Sequence, residues 1–300
     1  MTKRTLPKRL KYLLLYWFVQ FMLVFSNILP RTWWLAFCGN LGRLAFVLMP
    51  RFRNLTIAHL GLAYGQKKSS QEIYQLAKQV YAMLGKNAGD IFRSMEMKSL
   101  ADLEKFLVTT GLENFHHANA KNKGVIFLTC HLGAFDMQIT NMALRGLKPN
   151  IIGTTLKDPR LNDLLTNYRN AYGAIAIERG KETFRLIKAL KSGGAIAILI
   201  DQDTNVKSVM VDFFGMKAST PIGAAVLALK TGAAIVPTII HLGEDNMQHM
   251  EIFPEILLTT TGNEEQDIIT NTQRFTEFIE QQISMHPEQW VWMHERWKTK

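Results

Sequence analysis

His131 and Asp136 stand at the two ends of the segment HLGAFD. A histidine with a carboxylate in reach is what general-base chemistry on a hydroxyl needs: the imidazole takes the proton, and the carboxylate fixes the tautomer and steadies the developing charge. Gly133 between them lets the chain bend, so Asp136 is expected to turn back toward His131. Asp201 and Asp203 follow in DQD, Arg179 in ERG and Arg169 in NYR, with Lys157 on a neighbouring connection. Guanidinium forks match phosphate oxygens, so Arg169 and Arg179 are candidate ligands for a phosphate-bearing substrate, and Asp201 and Asp203 are candidate substrate-binding carboxylates. Each has a plainer reading. A His and an Asp at this spacing arise by chance as a solvated pair, Asp201 can cap the next turn, and the arginines can be surface cations. The elements that carry these residues decide between the readings.

Short apolar runs precede most of them. VIFLT (125–129) leads to His131, AIAI (174–177) to Arg179 and AIAILI (195–200) to Asp201, with further runs at 151–155 and 234–240. These runs are apolar at successive rather than alternate positions, the mark of strands covered on both faces. Helical stretches separate them at 134–145, 160–172, 182–191 and 219–231, and further helices are expected at 72–97 and 267–285. The alternation predicts an α/β fold with a mostly parallel central sheet flanked by helices. In such sheets ligands bind beyond the carboxyl ends of the strands, where the base, the carboxylates and the cations gather on one rim.

The charge points to a second component. The chain has 35 basic and 25 acidic residues for a net +10, yet residues 1–71 hold no Asp or Glu and eleven Lys or Arg. The remainder is nearly neutral, at −1. Basicity of this kind suits nucleic acid or an anionic membrane surface, and the residues between the charges favour the membrane. Residues 12–29, YLLLYWFVQFMLVFSNIL, carry no charge and as a helix span about 27 Å, close to the ~30 Å hydrocarbon core. Trp33, Trp34 and the apolar run 44–49 follow, with cations on both sides. The division expected is a membrane anchor over 1–53 and a catalytic α/β domain over 54–300, with no nucleic-acid partner. A buried core helix and a cleaved secretory signal are the duller readings, and no small-residue cleavage site supports the latter. Cations on both sides suit a shallow or re-entrant helical pair, leaving the domain on the cytoplasmic face. Two cysteines, Cys38 and Cys130, agree with a reducing compartment.

The sequence resembles the bacterial lipid A late acyltransferases over most of its length. The basic anchor, HLGAFD at 131–136, NYR at 167–169, ERG at 178–180, DQD at 201–203 and DFFG at 212–215 carry the resemblance. It continues in STPIGAAVLALKTGAAIVP at 219–237 and HPEQWVWMHERWK at 286–298. The resemblance implies a glycerol-3-phosphate acyltransferase-like fold and transfer of a fatty acyl chain to the acylated glucosamine disaccharide of lipopolysaccharide at the bacterial inner membrane. It also implies His131 and Asp136 as the catalytic dyad, with Arg169 and Asp201 at further positions important in the family. Asp136 stands where many relatives have Glu. No cofactor or metal is implied beyond the co-substrate, a thioester of acyl carrier protein or coenzyme A. Relatives acylate other glycolipids and lipoamino acids, so the acceptor stays open.

Other chemistries find less support. Cys130 beside His131 invites a thiol nucleophile, but adjacent strand residues point to opposite faces. Neither a Gx4GK[ST] nor a GxGxxG loop occurs. His116 and His117 are adjacent, and His286 and His294 are eight apart, so neither pair has zinc-ligand spacing. A noncatalytic lipid-binding protein of the same fold is the reading from a different class.

Overall fold

VIFLT forms β2 (Val125–Thr129), buried at every position because a strand lies on each side of it and helices cover both faces. Its neighbours are β5 (Ala195–Leu199) and β8 (Ala234–Leu242), both parallel to it, with Val125 opposite Ala195 and Ala234. Beyond β5 lie β3 (Asn150–Gly153) and β4 (Ile175–Glu178), also parallel. Beyond β8 lies β9 (Gln248–Ile252), antiparallel to it, and then β1 (Leu107–Thr110), parallel to β9. The seven-stranded sheet has the order β1-β9-β8-β2-β5-β3-β4 and is the mostly parallel sheet the sequence predicts. The computed structural model describes residues 6–147, 149–153, 155–170, 173–178 and 183–299.

Alternate strand residues divide the interior into two cores. Ile126, Leu128 and Ile198 face α10 (Gly223–Thr231), α11 (Glu264–Met285) and the tail residues Trp290 and Trp292. Val125, Phe127, Ala197 and Val236 face α6 (Leu112–Asn119) and α7 (Met137–Leu144). The helices α8 (Pro159–Asn170) and α9 (Thr183–Lys191) complete the crossovers around β4. The helix expected over 219–231 is shorter than predicted. Residues up to Pro221 form β7 (Met216–Pro221), which pairs antiparallel with β6 (Ser208–Phe213), and the helix starts at Gly223. Phe214 and Gly215 both have positive φ, 51° and 73°, and this mirror-image turn closes the hairpin.

The N-terminal third is helical: α1 (Leu6–Ile28), α2 (Arg31–Leu48), α3 (Pro50–Tyr64) and α4 (Ser70–Ser94), followed by the short α5 (Leu100–Leu103). A capping box starts α4, where the Glu72 amide donates to Ser69 Oγ at 3.3 Å and the Ser69 amide to the Glu72 carboxylate at 2.8 Å. Helix α2 lies directly along α4. A Cβ on Gly42 would overlap the Tyr81 carbonyl, and one on Gly85 the Cys38 carbonyl, so only glycine allows this approach. Arg31 reaches Asp90 of α4 through two bonds of 2.9 and 2.6 Å, and Gln248 of β9 donates to the same carboxylate at 2.8 Å, tying the helices to the sheet. The boundary expected at residue 53 falls inside α3.

Helix α1 differs. Its segment Lys8–Ile28 has mean hydropathy 1.3 with only 17% of the window buried, and Trp17, Phe18, Val24 and Ile28 face outward. It is long and apolar enough to cross a membrane, and α2 with α3 passes the same test as a pair bent by 95°. This low burial disfavours a core helix and is consistent with membrane association. The Arg160 guanidinium of α8 lies 4.6 Å over the ring of Tyr16 in α1.

Candidate active site

The register of two parallel strands builds the centre. Thr129 of β2 pairs with Leu199 of β5, so His131 and Asp201, each two residues further on, leave the carboxyl edge side by side. His131 Nδ1 lies 2.8 Å from Asp201 Oδ1, and the His131 amide donates to Asp201 Oδ2 at 2.9 Å. Trp290 Nε1 donates to the same Oδ2 at 2.8 Å. The tail reaches this point because Leu132 bridges antiparallel to Trp290 and the Gly133 amide donates to the Gln289 carbonyl at 3.0 Å. Gly133 has φ of 59° and sits against the Ile240 carbonyl, where a side chain would not fit.

Asp201 is 2% exposed. Burial alone would raise its pKa, but the charge of His131 and the donated bonds from His131 and Trp290 hold it down to about 2. An ionised carboxylate only accepts, so Nδ1 of His131 carries the hydrogen and Nε2 of the neutral ring keeps a lone pair. His131, with 22% of its side chain exposed, lines a cavity of about 860 Å³, a size suited to a lipid-like ligand. Phe127, Ile139, Met142 and Ile151 line it on the α7 side, and Leu186 and Leu227 on the other.

Asp136 is placed otherwise than the sequence suggests. It stands at the start of α7, but its Oδ1 accepts from Arg169 Nε at 3.0 Å and Nη2 at 2.7 Å. Among the described residues the carboxylate on His131 is Asp201, because strand register delivers it to Nδ1 while the guanidinium of α8 takes Asp136. Asp136 and Arg169 both line the cavity, so three of the expected residues meet there with Asp201 directly behind His131. The neighbouring Tyr168 is fixed by a 2.8 Å hydrogen bond between its hydroxyl and that of Ser94. Asp203 is turned to the tail, where Oδ2 accepts from the Thr299 amide at 3.0 Å and its carbonyl from Lys298 Nζ at 3.0 Å. Arg179 lies outside the described residues. Cys130 points away from His131 into the opposite core, fully buried, and burial pushes its thiol pKa well up.

A family model of bacterial lipid A biosynthesis acyltransferases matches residues 2–299. The chain belongs to that family. Among curated relatives, a phosphatidylinositol mannoside acyltransferase of Mycobacterium tuberculosis is 27% identical over 194 residues, 63% of this chain and 60% of that protein. The match thus spans less than two thirds of that relative. A lipid A biosynthesis lauroyltransferase of Escherichia coli K12 is 26% identical over 270 residues, covering 88% of this chain and 84% of that one. A lipid A biosynthesis palmitoleoyltransferase of the same organism is 24% identical over 289 residues, 89% and 85% of the two chains.

Within this member of the family, residue spacing alone missed two groups. Trp290 lies in the C-terminal run HPEQWVWMHERWK with nothing beside it that points to Asp201, because the bond between them joins residues 89 apart. The polar wall residues Thr129, Gln138 and Thr238 carried no signal, since the threonines each sit singly in a run read as strand and Gln138 is one of several polar residues in a stretch read as helix.

Proposed function

We propose that the protein is a membrane-associated O-acyltransferase that moves a fatty acyl chain from an acyl thioester to a hydroxyl of a lipid A precursor. The observation that carries this reading is the His131–Asp201 pair at 2.8 Å opening on a largely apolar cavity of about 860 Å³. Nε2 of His131 takes the acceptor hydroxyl proton as that oxygen attacks the thioester carbonyl. The tetrahedral intermediate collapses by breaking the C–S bond, and the imidazolium returns the proton to the departing thiolate. Asp201 holds the tautomer and offsets the imidazolium charge. Asp136 acts from the cavity wall by holding Arg169, and Arg169 with Arg179 binds phosphate of acceptor or carrier. The donor is an acyl carrier protein or coenzyme A thioester. The cation-rich N-terminal segment and the outward apolar face of α1 support a place on the inner membrane with the catalytic body on the cytoplasmic face.

Similarity to the mycobacterial enzyme supports a second acceptor class, a mannosylated phosphoinositide. Mass spectrometry of envelope lipids with and without the gene separates the two: loss of one acyl unit from lipid A supports the first reading, and loss from another glycolipid replaces it with the second. In purified protein, His131→Ala is expected to lower turnover by roughly 10²- to 10⁴-fold, the usual contribution of a general base, and near-normal turnover overturns the assignment.

A further inference from the structure

Helix α2 has two unlike faces. Successive residues of a helix are turned by about 100°, so Trp33, Phe37, Leu44, Val47 and Leu48 share one sector of it. All five are exposed, Trp33 by 72% and Leu48 by 67%. From Trp33 to Leu48 the stripe runs about 22 Å, and the exposed Met49 and Phe52 carry it around the bend into α3. Asn40 is the polar residue within it, and Arg43 Nη1 on the flank donates to its Oδ1 at 2.8 Å. The opposite face packs on α4, where Trp34 Nε1 donates to the Gly89 carbonyl at 2.8 Å and the Phe46 ring meets that of Tyr81.

A continuous outward apolar stripe marks an interaction surface, and the charge around it defines the partner. Residues 1–71 hold no acidic side chain, while Arg43 flanks the stripe and Arg51 and Arg53 stand just past its end. Two copies of this face brought together would set those cations against each other, whereas an anionic lipid surface pairs with them. A tryptophan at one end and an arginine at the flank suit the headgroup level, where an amphipathic helix lies flat with its apolar face in the acyl boundary. Deeper insertion is opposed by α4, which lies along the other face of α2 and exposes Gln75, Lys78 and Gln79.

The attachment of α2 gives this contact a function. Its glycine contacts fix it to α4, and Arg31, Asp90 and Gln248 tie it to the sheet. Helix α1 is largely exposed and follows the chain through Leu29 and Pro30, so it holds the protein without defining its direction. We propose that the outward face of α2 is a second membrane-docking surface, lying in the plane of an anionic bilayer, and that it sets the angle at which the catalytic body meets the membrane. The surface is separate from the anchoring given to α1 and does not depend on the acyl-transfer reading.

The depth of α2 is measured without turnover. Cys38 and Cys130 are both buried, so Leu44→Cys, Leu48→Cys and Lys78→Cys in the full-length protein each offer one accessible thiol for a fluorescent label. The vesicles are phosphatidylglycerol with phosphatidylcholine brominated either near the headgroup or near the chain end. Labels at positions 44 and 48 are expected to be quenched several-fold more than the label at 78, and more by the shallow bromines than by the deep ones. Labels at 44 and 48 that stay unquenched overturn the surface. Stronger quenching by the deep bromines makes α2 part of a bent span and overturns the in-plane placement. Label protection in detergent that grows with protein concentration gives the face to a second copy and overturns the bilayer as its occupant. The orienting role is read from Leu44→Glu combined with Leu48→Glu, outward positions whose change leaves the packing on α4 intact. That variant is expected to stay on membranes through α1 and to lose turnover several-fold in vesicles but not in micelles. An unchanged ratio of vesicle to micelle turnover overturns the orienting role. A wild type without turnover on any acceptor counts against the acyl-transfer reading, and the label depths still decide the surface.

Discussion

Two carboxylates stand at the cavity in opposite conditions. Asp201, at the end of β5, is 2% exposed and takes three hydrogen bonds from His131 and Trp290. Asp136, at the start of α7, has an 11% exposed side chain and takes its bonds from Arg169, itself 16% exposed. The first is fixed by the register of two central strands and braced by the tail, while the second depends on one helix meeting another. A carboxylate held from three sides in a dry setting can define a tautomer. One paired with an arginine on the cavity wall is better suited to placing that arginine.

This difference is testable in order of size. Asp201→Asn removes the acceptor that keeps hydrogen on Nδ1, and kcat is expected to fall by roughly 10²- to 10³-fold with KM little changed, read from steady-state kinetics with saturating acceptor. The same residue should govern acid stability. Its folded pKa of about 2 lies below the ordinary 3.8, so its contribution is full above pH 4 and is lost as pH falls toward 2. That contribution is on the order of 2 kcal/mol. Denaturant titrations at pH 6 and pH 3 should show Asp201→Asn less sensitive to acid than the wild type, and an unchanged pH dependence would refute the coupling. Trp290→Phe keeps an aromatic ring and removes one donor, with an expected loss of about 10-fold in kcat and an upward shift of the acid transition. Asp136→Asn should be the mildest, a several-fold rise in KM with kcat within about 10-fold of wild type. A kcat loss in Asp136→Asn as deep as that in Asp201→Asn would erase the distinction and restore Asp136 as the partner of His131.

The runs VIFLT, AIAIL and the long β8 segment announced the central strands because burial on both faces leaves no room for polar residues. From those strands the rim that holds His131, Asp136 and Arg169 followed. β1 and β9 were not legible: LVTT and QHMEI mix polar and apolar residues, as strands on the sheet's less covered side can. The β6–β7 hairpin was hidden by a helix-like run continuing past Pro221. The pairing of His131 was out of reach for a different reason. Proximity in sequence favoured Asp136, whereas the contact that forms spans seventy positions and depends on which strands become neighbours and in what register.

The contact of Arg160 with Tyr16 links α8 to the outward-facing α1. Helix α8 carries Arg169 near its other end, nine residues or about 14 Å along its axis. If α1 rests in a bilayer, the entrance to the cavity is therefore held within a lipid's length of the surface. Substrate then arrives by diffusion in two dimensions. Turnover should follow the mole fraction of acceptor in the membrane rather than its bulk concentration, and diluting the acceptor with inert lipid should slow the enzyme even when the total amount in the tube is unchanged.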